Sequence, residues 1–259
     1  MKRLAACLLS FCLCSPFAFA NTFTTDLTDL WWNANESGWG VTATHQRDVV
    51  FLTFFVYGVD SRATFYTGQA SYVAQAGSGA LIFRGPMYET TGPWLGIPFN
   101  PNLVTRRQVG VVTFTAFVDA ATLEYNIDNT FVTKSLTRQT FLNNDLTGGY
   151  AGVLNQTSSG CANAANNVTA ESIVGVAITN STTTLAMTTN ENGTICEYVG
   201  NYRQSGRMGS SSGTFSCPGR TGSYDMVEIE ANPQGITGRI SGRSSLCSQI
   251  TGRFALVKR

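Results

Sequence analysis

Short runs of alternating apolar and polar residues, separated by turn-forming residues, occupy nearly the whole chain, and helical periodicity is almost absent. Period-two alternation sends successive side chains to opposite faces of an extended strand, so such a chain must bury one face of many short strands against one another. In the first half the runs are Gly40 to His45, Val49 to Tyr57, Ala63 to Thr67, Ala80 to Phe83, Val109 to Val118, Thr122 to Ile127 and Phe131 to Thr137. In the second they are Tyr150 to Asn155, Ser172 to Ile178, Thr183 to Thr188, Ile195 to Tyr202, Gly213 to Cys217, Tyr224 to Glu230, Ile236 to Ile240 and Ile250 to Val257. Gly58-Val59-Asp60-Ser61, Asp128-Asn129, Asn192-Gly193 and Asn232-Pro233-Gln234-Gly235 supply turn residues, so successive strands are expected as hairpin neighbours. The expected fold is all-β: two small antiparallel meander barrels or sandwiches in tandem.

A change of composition at about residue 144 divides the chain. After it tryptophan is absent, phenylalanine is confined to Phe215 and Phe254, and Cys161, Cys196, Cys217 and Cys247 appear. The sequence reads as a signal peptide at 1–20, an aromatic-rich β domain at 21–143 and a disulfide-containing β domain at 144–259. The leader has Lys2 and Arg3, an apolar run from Leu4 to Phe19 and an Ala18-Phe19-Ala20 cleavage signal before Asn21. That run is shorter than the roughly 20 apolar residues of a spanning helix, so secretion to the periplasm or beyond is expected, with no membrane span. Bulky Phe11 and Leu13 before Cys12 and Cys14 argue against a lipid anchor. In an oxidising compartment the four remaining cysteines form two disulfides. Three pairings are open; neighbours in a meander are close in sequence, which favours Cys161–Cys196 and Cys217–Cys247.

The charge balance, 17 Lys and Arg against 16 Asp and Glu, gives no basic field for nucleic acid, and 11% aromatic residues separate the chain from disordered sequences. Cys161, Cys196, Cys217 and Cys247 have none of the close spacings of a zinc site, and no metalloprotease helix, phosphate loop or calcium loop occurs, so no metal or cofactor is expected. Gly209-Ser210-Ser211-Ser212-Gly213 matches the nucleophile-elbow pattern by letter, but no histidine follows it and its surroundings read as a serine-rich hairpin. His45, the one histidine, is expected at an exposed strand end. Glu228 and Glu230 alternate with Val227 and Ile229 and read as the solvent face of a strand, opposite Arg239. Glu36, Asp60 and Glu124 lie in the aromatic half, where a carboxylate pair for glycoside hydrolysis stays an open alternative.

Residues 30 to 40 place Trp31, Trp32 and Trp39 around Asn33, Asn35, Glu36, Ser37, Gly38 and Gly40, a structured turn leading into a strand. One reading makes the three tryptophans a barrel plug, with Glu36 satisfying backbone donors. Leu136-Thr137-Arg138 and Ile250-Thr251-Gly252-Arg253 close the two halves, an arrangement that resembles lipocalin and avidin barrels, where a basic residue of the last strand covers an aromatic of the first. That resemblance implies Arg138 over an early tryptophan and Arg253 over Tyr150, against the alternative of ordinary exposed arginines. The motif, with Tyr57-Gly58-Val59-Asp60, Ala63-Thr64-Phe65-Tyr66, Gly85-Pro86-Met87-Tyr88, Thr91-Gly92-Pro93 and Lys134-Ser135-Leu136-Thr137-Arg138, also resembles a group of secreted bacterial proteins with a WWNPxESGWG β-rich module. The resemblance covers roughly residues 30–141, departs at Ala34 where the pattern has proline, and implies no reaction.

Val50 to Tyr57 is apolar on both phases, so something must cover its outer face: the second domain, an oligomer partner, or a ligand. Gly85 to Leu103 reads as a long connection holding Pro86, Pro93, Pro98 and Pro101 around Trp94 and Phe99, a candidate binding edge. The candidate ligand-binding residues are therefore Trp39, Phe55, Tyr57, Tyr66 and Trp94. The expected function is non-catalytic binding of a glycan or an apolar ligand such as a lipid at the cell envelope; a structural module docking an envelope protein and a carboxylate hydrolase are the alternatives.

Overall fold

The computed structural model describes residues 25–259; the expected signal peptide, 1–20, lies outside the described residues. The chain forms two closed, eight-stranded antiparallel barrels in tandem, as the alternation implies. Barrel one comprises β1 (Asp29–Trp32), β2 (Gly40–Gln46), β3 (Val49–Tyr57), β4 (Ala63–Gln75), β5 (Leu81–Thr91), β6 (Thr105–Ala116), β7 (Ala120–Ile127) and β8 (Thr130–Arg138). Barrel two comprises β9 (Gly148–Cys161), β10 (Thr169–Asn180), β11 (Thr184–Glu191), β12 (Thr194–Ser205), β13 (Met208–Cys217), β14 (Arg220–Asn232), β15 (Gly235–Ser244) and β16 (Cys247–Lys258). Each is an up-and-down meander closed by pairing of its first and last strands, β1 with β8 and β9 with β16. The closing pair of barrel one is short, Trp31 with Arg138 and Trp32 with Thr137, whereas β9 and β16 pair along most of their length. Asp128-Asn129 (φ 45° and 70°) and Asn192-Gly193 (φ 50° and 87°) are two-residue hairpin turns with both residues left-handed, the geometry that matches strand twist.

Closure also decides the disulfides. Cys161 ends β9 and Cys247 opens β16, directly opposite one another across the closing seam, and they are bonded. Cys196 on β12 is bonded to Cys217 on β13. The pairing expected from sequence order, Cys161–Cys196 and Cys217–Cys247, is therefore wrong. Order along a meander ignores the one contact between its ends.

The barrels are filled differently. Barrel one has a fully buried core of Trp31, Leu52, Phe54, Phe83, Met87, Phe114 and Leu123, with Trp31 edge-on to Phe114 at 5.5 Å. Barrel two relies on tyrosines: Tyr198 stacks on Phe215 at 5.4 Å and meets Tyr224 edge-on at 5.3 Å, and the Tyr224 hydroxyl shares a hydrogen bond with Ser211. Burial pushes the Tyr202 hydroxyl up to about 12. The interior of barrel two holds an apolar void of about 40 Å³.

One end of each barrel, its base, carries the same short device. Asp26-Leu27-Thr28 precedes Trp31 and Asp145-Leu146-Thr147 precedes Tyr150 at identical spacing. Asp26 accepts from the Thr28 amide at 2.8 Å and Asp145 from the Thr147 amide at 2.9 Å. The ring donor then reaches back four residues in both: Trp31 Nε1 donates to the Leu27 carbonyl (3.0 Å) and the Tyr150 hydroxyl to the Leu146 carbonyl (2.8 Å). Trp31 lies opposite Arg138 and Tyr150 opposite Lys258. Lys258, not Arg253, is thus the counterpart of Arg138, and Arg253 is exposed on the outer wall beside Asn155.

Candidate functional site

Arg138 closes the base of barrel one. Its guanidinium lies 4.7 Å from the Trp31 ring centre and donates to the carbonyls of Val118, Thr28 and Asp26 and to the Asp29 carboxylate at 3.0 Å. Burial lowers its basicity, with Asp29 opposing the shift. The two bases then meet. The tip of the β12–β13 hairpin, Gly206-Arg207, docks under Arg138: the Arg207 amide donates to Asp29 (3.0 Å), its side chain to the Thr28 carbonyl (2.9 Å), to Glu230 (2.5 Å) and to Asp26. The Gly206 amide donates to Thr140, and Arg203 reaches Asp119. Nothing in the sequence marks Arg207 for this role except its place at a two-residue turn.

Beside this seam, the outer wall of barrel two forms a cavity of about 440 Å³ lined by Asp26, Glu228, Glu230, Arg239, Arg253 and Phe254 among others. Glu228 sits at a β-bulge where the β14–β15 register slips between Val227 and Glu230, at φ 54° and only 7% exposed. A left-handed non-glycine residue of this kind costs on the order of 1–3 kcal/mol and is retained where its neighbours hold it. Here Arg239 (2.8 Å) and Thr25 hold its carboxylate. The expected pairing with Arg239 is present, but the expected solvent face is not, because the bulge breaks the alternation from which it was read.

The opposite end of barrel one is its mouth. A 3-10 turn at Ala34–Glu36, capped by Asn33, brings Glu36 against Trp39 and Lys134: Trp39 Nε1 donates to the carboxylate at 3.1 Å and Lys134 Nζ at 2.7 Å, with Nζ 5.7 Å from the Trp39 ring centre. The bond from Lys134, aided by Trp39, holds the Glu36 carboxyl below its usual range. Tyr66 and Tyr125 are half-buried beneath this cluster against the core; burial raises the Tyr125 hydroxyl, and the Glu36 charge adds to the rise. Trp31, Trp32 and Trp39 therefore do not form one plug. Trp31 fills the base, Trp39 lines the mouth, Trp32 is half-exposed, and Glu36 serves Trp39 and Lys134 rather than backbone donors. Gly38, at φ 118°, takes a conformation open to glycine and leaves room for the Tyr57 hydroxyl.

The five candidate ligand residues are not brought together. Trp39 and Tyr66 face the mouth, Phe55 and Tyr57 are exposed on the outer wall, Trp94 is on a separate loop, and none of them lines the seam cavity. The outer face of β3 carries exposed Phe51, Phe55 and Tyr57, with Phe55 opposite exposed Phe65, so barrel two does not cover it. The proline-rich connection is shorter than expected, since Gly85–Thr91 belong to β5. Pro86 is tolerated there because β4 pairs around it, Gly68 with Met87 and Ser71 with Arg84.

What remains, residues 92–104, has no charged residue and exposes Trp94 (75%), Leu95 (96%), Phe99 (70%), Ile97 and Leu103. The Trp94 ring lies directly over Gly96, where any Cβ would meet it at 2.0 Å. Strand direction puts this loop, exposed Val59 in the β3–β4 connection and exposed Phe131 beside the β7–β8 turn at the same end, remote from the seam. Around them Arg62 pairs with Asp60 at 3.7 Å and Arg107 with Glu89 at 2.8 Å and Asp128 at 2.5 Å, while Arg106 lies over the Tyr88 ring.

The other sequence candidates occupy separate surroundings. Asp60 belongs to its turn with Arg62, Glu36 to Lys134, and Glu124 is exposed on the outer wall of β7. Gly209–Gly213 lies within β13, in its first half, with Ser211 buried against Tyr224, so no elbow forms. The His45 side chain is 5% exposed, not open, its ring 5.3 Å from Phe83 and 4.0 Å from Asp26. Among the described residues no group of three or more His, Cys, Asp or Glu could hold a metal ion, and no helix is long and apolar enough to cross a membrane. Compared with protein-family models, curated proteins and solved structures, the chain matches none.

Proposed function

We propose that this is an exported binding protein of the cell envelope that performs no chemistry and engages an apolar ligand or surface through the mouth end of barrel one. The observation that carries the reading is the uncharged loop 92–104, whose large apolar side chains stand in solvent instead of packing on the barrel. Apolar side chains gathered at one end, rimmed by paired charges, are what an interaction surface looks like. The leader-like N-terminus, the two disulfides and the WWNPxESGWG resemblance support export. Titrating the chain from residue 21 with the apolar probe anilinonaphthalene sulfonate tests the reading. Binding that falls at least about fivefold in a Trp94→Ser/Leu95→Ser variant is expected, and equal binding by both proteins refutes it.

A second reading, a glycan held at the seam, rests on the cavity of about 440 Å³ with Glu228, Glu230, Arg239 and Arg253 in its lining. Carboxylates and guanidinium groups side by side match the hydroxyls of one or two sugar units. Saccharide-induced thermal stabilisation that disappears in Arg253→Ala supports this site; stabilisation unaffected by that change removes it.

A further inference from the structure

We infer that the apolar partner of loop 92–104 is the interfacial zone of a zwitterionic lipid bilayer, into which the mouth end of barrel one inserts its tips. The inference rests on the binding reading above and names its partner. Three features favour lipid over a protein surface.

The apolar groups protrude. Leu95 is 96% exposed, Val59 stands in the β3–β4 turn at the same end, and Phe131 is exposed at the start of β8 beside the β7–β8 turn. Tips that project singly suit a deformable medium better than the flat, preformed pocket a protein partner must supply.

The loop backbone meets four of its ten amides internally, and the remainder, including those of Trp94, Leu95 and Gly96 at the tip, need acceptors of the kind that water and phosphate oxygens supply throughout the interfacial zone. Pro93, Pro98 and Pro101 have no amide to satisfy. The amides of Ile97, Leu103 and Val104 donate to the carbonyls of Trp94 (3.3 Å), Asn100 (3.1 Å) and Pro101 (3.1 Å), and that of Asn102 to the Asn100 side chain (3.0 Å).

The charges behind the tips complement phosphocholine-type headgroups. Asp60 with Arg62, Glu89 and Asp128 with Arg107, and Glu36 with Lys134 form a belt in which both signs alternate, matching the two charges of a zwitterionic headgroup. Arg106, stacked 4.9 Å from the Tyr88 ring centre at the foot of the loop, adds a guanidinium at phosphate depth. Trp94, held over Gly96, sits where an amphipathic indole anchors at a membrane interface.

The test is flotation of the chain from residue 21 with phosphatidylcholine vesicles, with and without anionic phosphatidylglycerol, at low and high salt. Trp94 depth is read by fluorescence quenching from brominated acyl chains. The expected result is binding to pure phosphatidylcholine that persists at high salt, with quenching of Trp94. Leu95→Ser should weaken partitioning at least about tenfold at an unchanged melting temperature, whereas Phe51→Ser on the barrel wall should leave it within about twofold. Binding only to anionic vesicles and lost in salt, or equal flotation of Leu95→Ser, overturns the inference. If vesicles fail while the anilinonaphthalene sulfonate response of loop 92–104 persists, the bilayer is the wrong partner and the binding reading stands; if both fail, both fall.

Discussion

Replacing Arg138 by methionine keeps an unbranched apolar stem over Trp31 but removes every donor of the guanidinium. The Arg138 side chain is fully enclosed and paired with a carboxylate that is 10% exposed. Breaking one partner out of a buried ion pair costs about 3–5 kcal/mol. The orphaned carbonyls of Val118, Thr28 and Asp26 push toward the upper end of that range, while the Arg207 amide, which still donates to Asp29 at 3.0 Å, pulls toward the lower. A loss of about 3–5 kcal/mol is therefore expected in equilibrium urea unfolding. All four tryptophans lie in barrel one, so fluorescence reports that barrel while circular dichroism reports both. The control is Lys258→Met, the same position in barrel two, where the lysine is exposed and its loss should cost under about 1 kcal/mol. If Arg138→Met costs no more than Lys258→Met, the basic cap does not hold the barrel closed and the argument fails.

The two disulfides close loops of very different length, with sequence separations of 86 and 21. Loop-closure entropy assigns them about 4.6 and about 3.3 kcal/mol, so replacing Cys161 and Cys247 by serine should destabilise by about 1 kcal/mol more than replacing Cys196 and Cys217; the reverse order in denaturant unfolding contradicts the entropic account. The Glu36 carboxyl, held low by Lys134 and Trp39, gives stability that is present above the unfolded value of about 4.3 and is lost as pH falls through the lower folded value. The melting temperatures of the parent and Glu36→Gln should thus differ at neutral pH and converge as the pH falls through the lowered folded value; a gap that stays constant on acidification would show that the carboxylate charge contributes nothing.

Much of the architecture was legible because alternation and turn chemistry act locally. The bounds of β3 fall where its apolar run starts and stops, and Asn192-Gly193 and Asp128-Asn129 sit at their turns. Strands rich in small polar residues were read short: β9 continues through Gln156 to Gly160 and β13 begins at Met208, where neither phase is apolar enough to register. Longer-range features left no local mark. Cys161 meets Cys247 only because the barrel closes, and Glu228 is buried only because a bulge shifts its phase. The candidate site was half visible. Loop 92–104 stands out by its prolines and tryptophan, yet in β3 both phases are apolar, so sequence could not tell that Phe54 faces the core and Phe55 the solvent.

The repeated Asp-Leu-Thr device makes the chain a tandem duplication in form, and duplicated barrels carry a hazard: any surface by which one copy grips the other is available twice, and head-to-tail growth follows. Arg207 removes that hazard by existing once. The hairpin of barrel one that corresponds to Gly206-Arg207 is Ala76-Gly77-Ser78-Gly79-Ala80, which has no cation to insert, and the counterpart of its receiver Asp29 is Gly148, which has no carboxylate to offer. The plug belongs to the second copy and the socket to the first, so the contact saturates within one molecule and cannot propagate into a fibre.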